Sequence, residues 1–298
     1  MKRGSWRKAA NHRPRQSNNV ITYFRIAALS TPVSFSYNAG IGITFRYPEQ
    51  LIEVSQLSNV IGKADPDTAN PADGVTVQQR VYNQLRTDIL LGRIAPGEPL
   101  TIRGLAQRLD VSAMPIREAL RQLATERAVE LLGNRRIRIP IMSPQRFDDL
   151  VVARIALETE AASSCLDYVD DALIEKLVAY DAEVDKGIAA RDYDHWLASN
   201  FAFHRTLYSA QPESVFLPLI ESIWLQIGPF LRLALMHFGP ELSIDRHAEA
   251  LDAMRNRNRP GLRIAIEADI RDGISHIGKE LIKFNAAAKA EETAEKSA

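Results

Sequence analysis

Leu100–Ile139, LTIRGLAQRLDVSAMPIREALRQLATERAVELLGNRRIRI, predicts two short helices, a tight turn and a basic hairpin. Thr101 is placed to cap the first helix, which buries Leu105 and Leu109 at i, i+4 spacing. Asp110-Val111 makes the turn and Ser112 is a second cap. The next helix, from Ala113, carries Ile116, Leu120 and Leu123 on one apolar stripe, with Arg117 and Arg121 opposite. Pro115 is tolerated because a first-turn residue has no intrahelical acceptor for the N–H that proline lacks. Val129–Leu132, the Gly133-Asn134 turn signal and alternating Arg135–Ile139 then form a wing. Upstream, Val81, Leu85 and Ile89 face a third helix over roughly residues 78–91, closed by Gly92. The unit is a winged helix-turn-helix. In that geometry Ala113, Met114, Arg117 and Arg121, just past Ser112, face the major groove, where arginine pairs with guanine.

Charge supports a polyanion partner for this unit. Residues 75–140 hold eleven Arg, no Lys and six acids, a net +5, while residues 141–298 hold 17 basic and 26 acidic residues, a net −9. Residues 1–74 hold nine basic and five acidic residues, a net +4, so a formal charge of zero conceals a basic head on an acidic body. A small helical domain with ordinary solvated arginines does not require that polarity.

The sequence from residue 75 to 285 resembles the GntR-type bacterial transcription regulators. The resemblance rests on Arg103-x-Leu105-Ala106, on Val111-Ser112-x-Met114-Pro115-Ile116-Arg117-Glu118-Ala119-Leu120-x-x-Leu123, and on a wing containing Asn134-Arg135, beside which Arg136 is a further candidate DNA contact. It implies that Arg103, Arg117 and the wing tip contact DNA. Members often carry Arg where Ala113 stands, so a methyl contact from Ala113 or Met114 is the alternative here.

Ser143-Pro144 opens a long helix through Phe147, Leu150, Ile155 and Leu157, and further helical segments lie near 171–190, 192–210, 213–236, 245–257 and 260–284. No alternating strand pattern appears there. The fold class is therefore mostly α: a winged helix-turn-helix over 75–140 and an all-α bundle of six or seven helices over 141–285. Arg154-x-x-x-Glu158 matches the FCD effector domains of the FadR-like subfamily. Gly228-Pro229 is expected to bend or break its helix, and the aromatics around Trp224 are either core or pocket lining.

Of the six histidines, His204 stands four residues after Asn200, a spacing that places an amide oxygen and an imidazole on one helical face. By resemblance to FCD domains, the metal set is Asn200, His204, His247 and either Asp269 or His276. Oxygen and imidazole donors without thiolate suit zinc, nickel or manganese. The alternative is that these are hydrogen-bonded interior polar residues. An ion with an open position suits the carboxylate of a small organic acid, with Arg154 and Arg232 as charge partners.

The resemblance implies a dimeric regulator, a repressor on a palindromic double-stranded operator that responds to a small organic acid. A metal-dependent enzyme with a DNA-targeting head is the alternative, but no nucleophile, phosphate loop or His-Glu-x-x-His element supports it. The single Cys165 forms no intramolecular disulfide, and no apolar run is expected to reach the roughly 18 residues of a membrane span, so a cytoplasmic setting is expected. Residues 1–74 read as a disordered basic extension, a small extra module, or an upstream stretch included by a misplaced start. Residues 286–298 read as a flexible tail.

Overall fold

The computed structural model describes residues 33–37, 43–47, 75–132, 136–239 and 244–297. Residues 1–50 and 51–298 form separate units. In the first, β1 (Val33–Tyr37) and β2 (Ile43–Tyr47) are antiparallel, with Phe35 opposite Phe45. These strands lie in the region read as an extension, a small module or a misplaced start. Their period-two alternation, Val-Ser-Phe-Ser-Tyr and Ile-Thr-Phe-Arg-Tyr, is a strand signal that the surrounding scattered composition obscures. The rest of residues 1–74 lies outside the described residues.

The second unit begins with α1 (Val77–Leu90), whose cap Thr76 accepts from the Gln79 amide. It ends at Gly92, where φ is +65° and a side chain would collide with Arg232. Then come β3 (Pro99–Leu100), α2 (Ile102–Arg108), α3 (Ala113–Thr125), β4 (Glu130–Leu132) and β5 (Arg136–Arg138). Thr101 caps α2 through the Gly104 amide at 3.1 Å, whereas Ser112 occupies the cap position of α3 without a side-chain bond. Ile116, Leu120 and Leu123 bury against Leu85 and Ile89 of α1. The sheet order is β3-β5-β4, so the wing gains a third strand that two residues are too short to announce in sequence.

The body comprises α4 (Pro144–Cys165), α5 (Asp171–Ala190), α6 (Tyr193–Tyr208), α7 (Phe216–Phe238), α8 (His247–Arg255), α9 (Arg259–Asp272) and α10 (Ile274–Ser297). Ser143, Asp170, Asp192 and Asn258 cap α4, α5, α6 and α9 with side-chain bonds of 2.8–3.2 Å. Three sequence expectations are corrected. The segment read as one helix over 260–284 is two, broken at Gly273, where an added Cβ would lie 2.6 Å from the Asp269 carbonyl. The last helix continues to Ser297 where a tail was expected. Finally, α7 passes unbroken through Pro229. Its buried Ile220, Trp224, Leu225, Ile227, Phe230 and Leu231 outweigh the hydrogen bond that proline removes.

Contrary to the expectation from sequence, α7 is long and apolar enough to cross a membrane. In this fold 61% of that apolar window is buried, as befits the central helix of a bundle. Gly228 lets the end of α1 approach closely: a Cβ there would stand 2.4 Å from the Leu90 carbonyl oxygen. Cys165 is buried, and burial raises its thiol pKa.

Candidate functional site

Two sites emerge, one on the head and one inside the body. On the head, Arg103, Ser112, Ala113, Met114, Arg117, Arg121 and Arg136 are all exposed. Met114 keeps 60% of its surface accessible at the start of the recognition helix. Arg121 is paired with Glu118 at 3.0 Å, one turn back on the same helix, while Arg103 and Arg117 form no ion pair among the described residues. Asn134 and Arg135 lie outside the described residues.

In the body, α6, α8 and α9 bring His204, His247 and Asp269 together, all buried. His204 Nε2 lies 3.2 Å from Asp269 Oδ2 and 3.4 Å from His247 Nε2; His247 Nε2 lies 3.9 Å from Asp269 Oδ1. A tetrahedral ion with bonds of about 2.05 Å separates its ligands by roughly 3.4 Å, so these spacings fit three corners of one coordination sphere. Asn200, one turn before His204, lines an adjoining cavity with Arg154, Ile188, Trp196, Asp245, Asp269 and Gly273.

The surrounding bonds orient both imidazoles. His247 Nδ1 lies 2.8 Å from Asp181 Oδ1 on α5; a carboxylate there takes the Nδ1 proton and leaves the Nε2 lone pair facing the cluster. Tyr208 has one hydroxyl proton, which it donates to Glu158 Oε2 at 3.2 Å, so its oxygen accepts from His204 Nδ1 at 3.3 Å. His204 Nε2 is thereby also left as an acceptor. Two imidazole lone pairs and a carboxylate converging without a donor among them require a cation or a proton. Burial opposes charge on His247, but the Asp181 bond and the Asp269 and Asp245 charges raise its pKa. Burial alone would raise the Asp269 pKa; the His204 bond, the imidazole charges and the Arg246 amide instead hold it well below the usual carboxylate range.

Glu158 is fully buried and accepts from Arg154 Nε at 2.7 Å and Trp224 Nε1 at 2.9 Å as well as from Tyr208. It holds Arg154 in the cavity wall.

Two sequence assignments are corrected. His276 is exposed on α10: the break at Gly273 redirects the chain, so seven residues beyond Asp269 no longer fall on the same helical face. Arg232 does not line the cavity; it donates to the Leu91 carbonyl and the Asp194 carboxylate where α7 meets the head. Asp181 and Tyr208 were missed. Tyr208 continues the Asn200, His204 spacing by one more turn and was legible; Asp181 lies 66 residues from its partner and was not.

Residues 77–139 match the family described as bacterial regulatory proteins, gntR family, and residues 149–272 match the FCD domain. The chain belongs to the GntR family. Like other members with an FCD domain, this GntR-family chain is a transcriptional regulator, with a DNA-binding head and an effector-binding body, and is not an enzyme. It is 28% identical over 229 residues to an uncharacterized HTH-type transcriptional regulator, BphR, of Paraburkholderia xenovorans, covering 70% of this chain and 89% of that one. It is 30% identical over 136 residues to the HTH-type transcriptional repressor GlaR of Escherichia coli, covering 42% and 59%. Among solved structures, McbR/YncC of E. coli superposes with a TM-score of 0.65 at 21% identity, over 70% of this chain and 99% of that one, which supports the shared fold.

Proposed function

We propose that this regulator is a cytoplasmic, dimeric repressor whose FCD body holds a divalent ion and senses a small organic acid. The observation that carries the reading is the buried convergence of His204, His247 and Asp269 beside a cavity walled by Arg154 and Asn200. His204, His247 and Asp269 would hold zinc, nickel or manganese, with the Asn200 amide oxygen as a further donor. When bound, the ion supplies a Lewis-acidic position for a carboxylate, and Arg154 supplies a second positive group.

On the head, Arg103, Arg117, Arg121 and Arg136, with Asn134 and Arg135 of the wing, contact DNA. Ser112, Ala113 and Met114 open the recognition helix against the bases. A two-fold dimer sets two such helices on a palindromic operator. The repressor assignment draws on GlaR, which is named a repressor.

The test measures metal content, then operator affinity at fixed ionic strength with and without a panel of small mono- and dicarboxylic acids. Stoichiometric metal and an acid that weakens operator binding are expected. Wild-type protein without metal after growth in metal-replete medium, or no response to any acid, defeats the sensor reading while leaving the DNA-binding head intact.

A further inference from the structure

The cavity beside the ion cluster measures about 20 Å³, room for one or two water-sized groups and too little for even a small carboxylic acid. Two of its seven lining residues, Trp196 and Asn200, stand on α6, as does His204. A larger ligand seated against Trp196 and Asn200 therefore bears directly on α6.

That same helix is tied to the DNA-binding head near both ends, directly at Asp194 and through Glu221 of α7 at Arg205, each time by one carboxylate shared between two arginines, one from each domain. Near its start, Asp194 accepts from Arg93 Nε of the head at 3.1 Å and from Arg232 of α7, which also donates to the Leu91 carbonyl. Near its end, Arg205 Nε donates to Glu221 Oε1 at 2.7 Å, and Glu221 Oε2 accepts from Arg86 of α1 at 2.8 Å. Arg86 lies 3.8 Å from Glu126, the residue that ends recognition helix α3; Glu126 also binds Tyr82 and, through its carbonyl, Ser222.

The helical period makes this arrangement coherent. Asp194 and Arg205 are eleven residues apart, about three turns and about 16 Å, which returns them to within about 20° of the same face. Asn200 and His204 lie roughly a quarter to a third of a turn around the axis. One face of α6 thus addresses the cluster and another addresses the head.

We propose that α6 is a strut that transmits occupancy of the body site to the recognition helix, with Asp194 and Arg205 as its two couplings. The inference rests on the body-site reading for the identity of the signal, but the mechanical link stands on the ion pairs themselves. It is testable in the full chain by hydrogen exchange. One arm perturbs the site with zinc alone; the other uses His204→Gln or, if that variant does not fold, Asn200→Ala, without metal.

In the otherwise native chain, perturbing the site should change amide exchange at Leu90–Gly92 and Glu126–Ala128 by about two- to thirty-fold. In an Asp194→Asn, Arg205→Gln background the change should stay within the body. Failure of zinc to bind, with the substitution still felt at the head, removes the ion and keeps the strut. An equal change at the head in the uncoupled background overturns the strut, as does no change at the head in the native background under either arm.

Discussion

The head and the body bury charge in opposite ways. The head keeps its DNA-facing arginines outside: Arg103, Arg117, Arg121 and Arg136 are exposed, and its core is aliphatic, built from Leu85, Ile89, Ile116, Leu120 and Leu123, with the buried Asp88 paired to Arg93 and Arg108 at its edge. The body folds charge into its centre, where Arg154, Glu158, His204, His247 and Asp269 are all buried. Cations on a surface await a partner supplied from outside, whereas buried ionisable groups must satisfy one another. The head is therefore expected to tolerate loss of single charges in stability and suffer in binding, and the body to do the reverse.

The largest effect that could break this contrast is in the body. Glu158→Ala strands Arg154 and leaves the Trp224 and Tyr208 donors without their acceptor, at an expected cost of about 3–5 kcal/mol by urea unfolding. A loss below about 1 kcal/mol, the range of exposed ion pairs, would show that the pair behaves as a surface one. Next is Asp181→Asn, which removes the carboxylate that orients His247. Zinc affinity is expected to fall about 10- to 100-fold in competition with a chelator, while operator binding by the metal-free protein is unchanged.

The same histidine predicts a pH signature. The His247 pKa is raised in the metal-free fold, so its contribution is full below an unfolded value of about 6.5 and is lost as pH rises through the folded value. Asp269, held low, acts with the opposite sign and only in acid: its contribution is present above an unfolded value of about 3.9 and is lost as pH falls further. The melting temperature of metal-free protein should therefore drop as pH rises above about 6.5, and less so in Asp181→Asn. Identical slopes in the two proteins would exclude His247 as the titrating group.

On the head, Arg117→Ala should weaken specific operator binding by about 1–3 kcal/mol with the melting temperature unchanged, or flatten the salt dependence if it meets phosphate only. The smallest expected effect compares the two helix caps. Thr101→Ala is expected to cost about 1 kcal/mol, whereas Ser112→Ala, whose side chain makes no capping bond, should cost much less. Equal losses at both positions would mean that Ser112 stabilises the helix by some other route.

The helices of the head could be read from the chain because their determinants are local: caps at fixed offsets, apolar stripes of period 3.6, and a glycine closing α1. The Asn200, His204 pair was legible for the same reason. Errors arose wherever a distant contact decided the outcome. Pro229 looked like a break because sequence cannot show how much of α7 is buried around it. His276 looked like a ligand because an unbroken helix was extrapolated past Gly273, and Arg232 looked like an anion receptor because its partners, Leu91 and Asp194, are 141 and 38 residues away.

By itself, then, the sequence determined a basic helix-turn-helix head, an acidic helical body and the Asn200, His204 pair on one helical face, since periodicity, capping and net charge are properties of short stretches. Tertiary structure decided which of those residues meet. It placed Asp269, and not His276, beside His204 and His247, supplied Asp181 and Tyr208 as hydrogen-bond partners of the two imidazoles, and tied α6 to the head directly at Asp194 and through Glu221 of α7 at Arg205. Such contacts join side chains far apart in sequence, and their geometry exists only once the helices have packed.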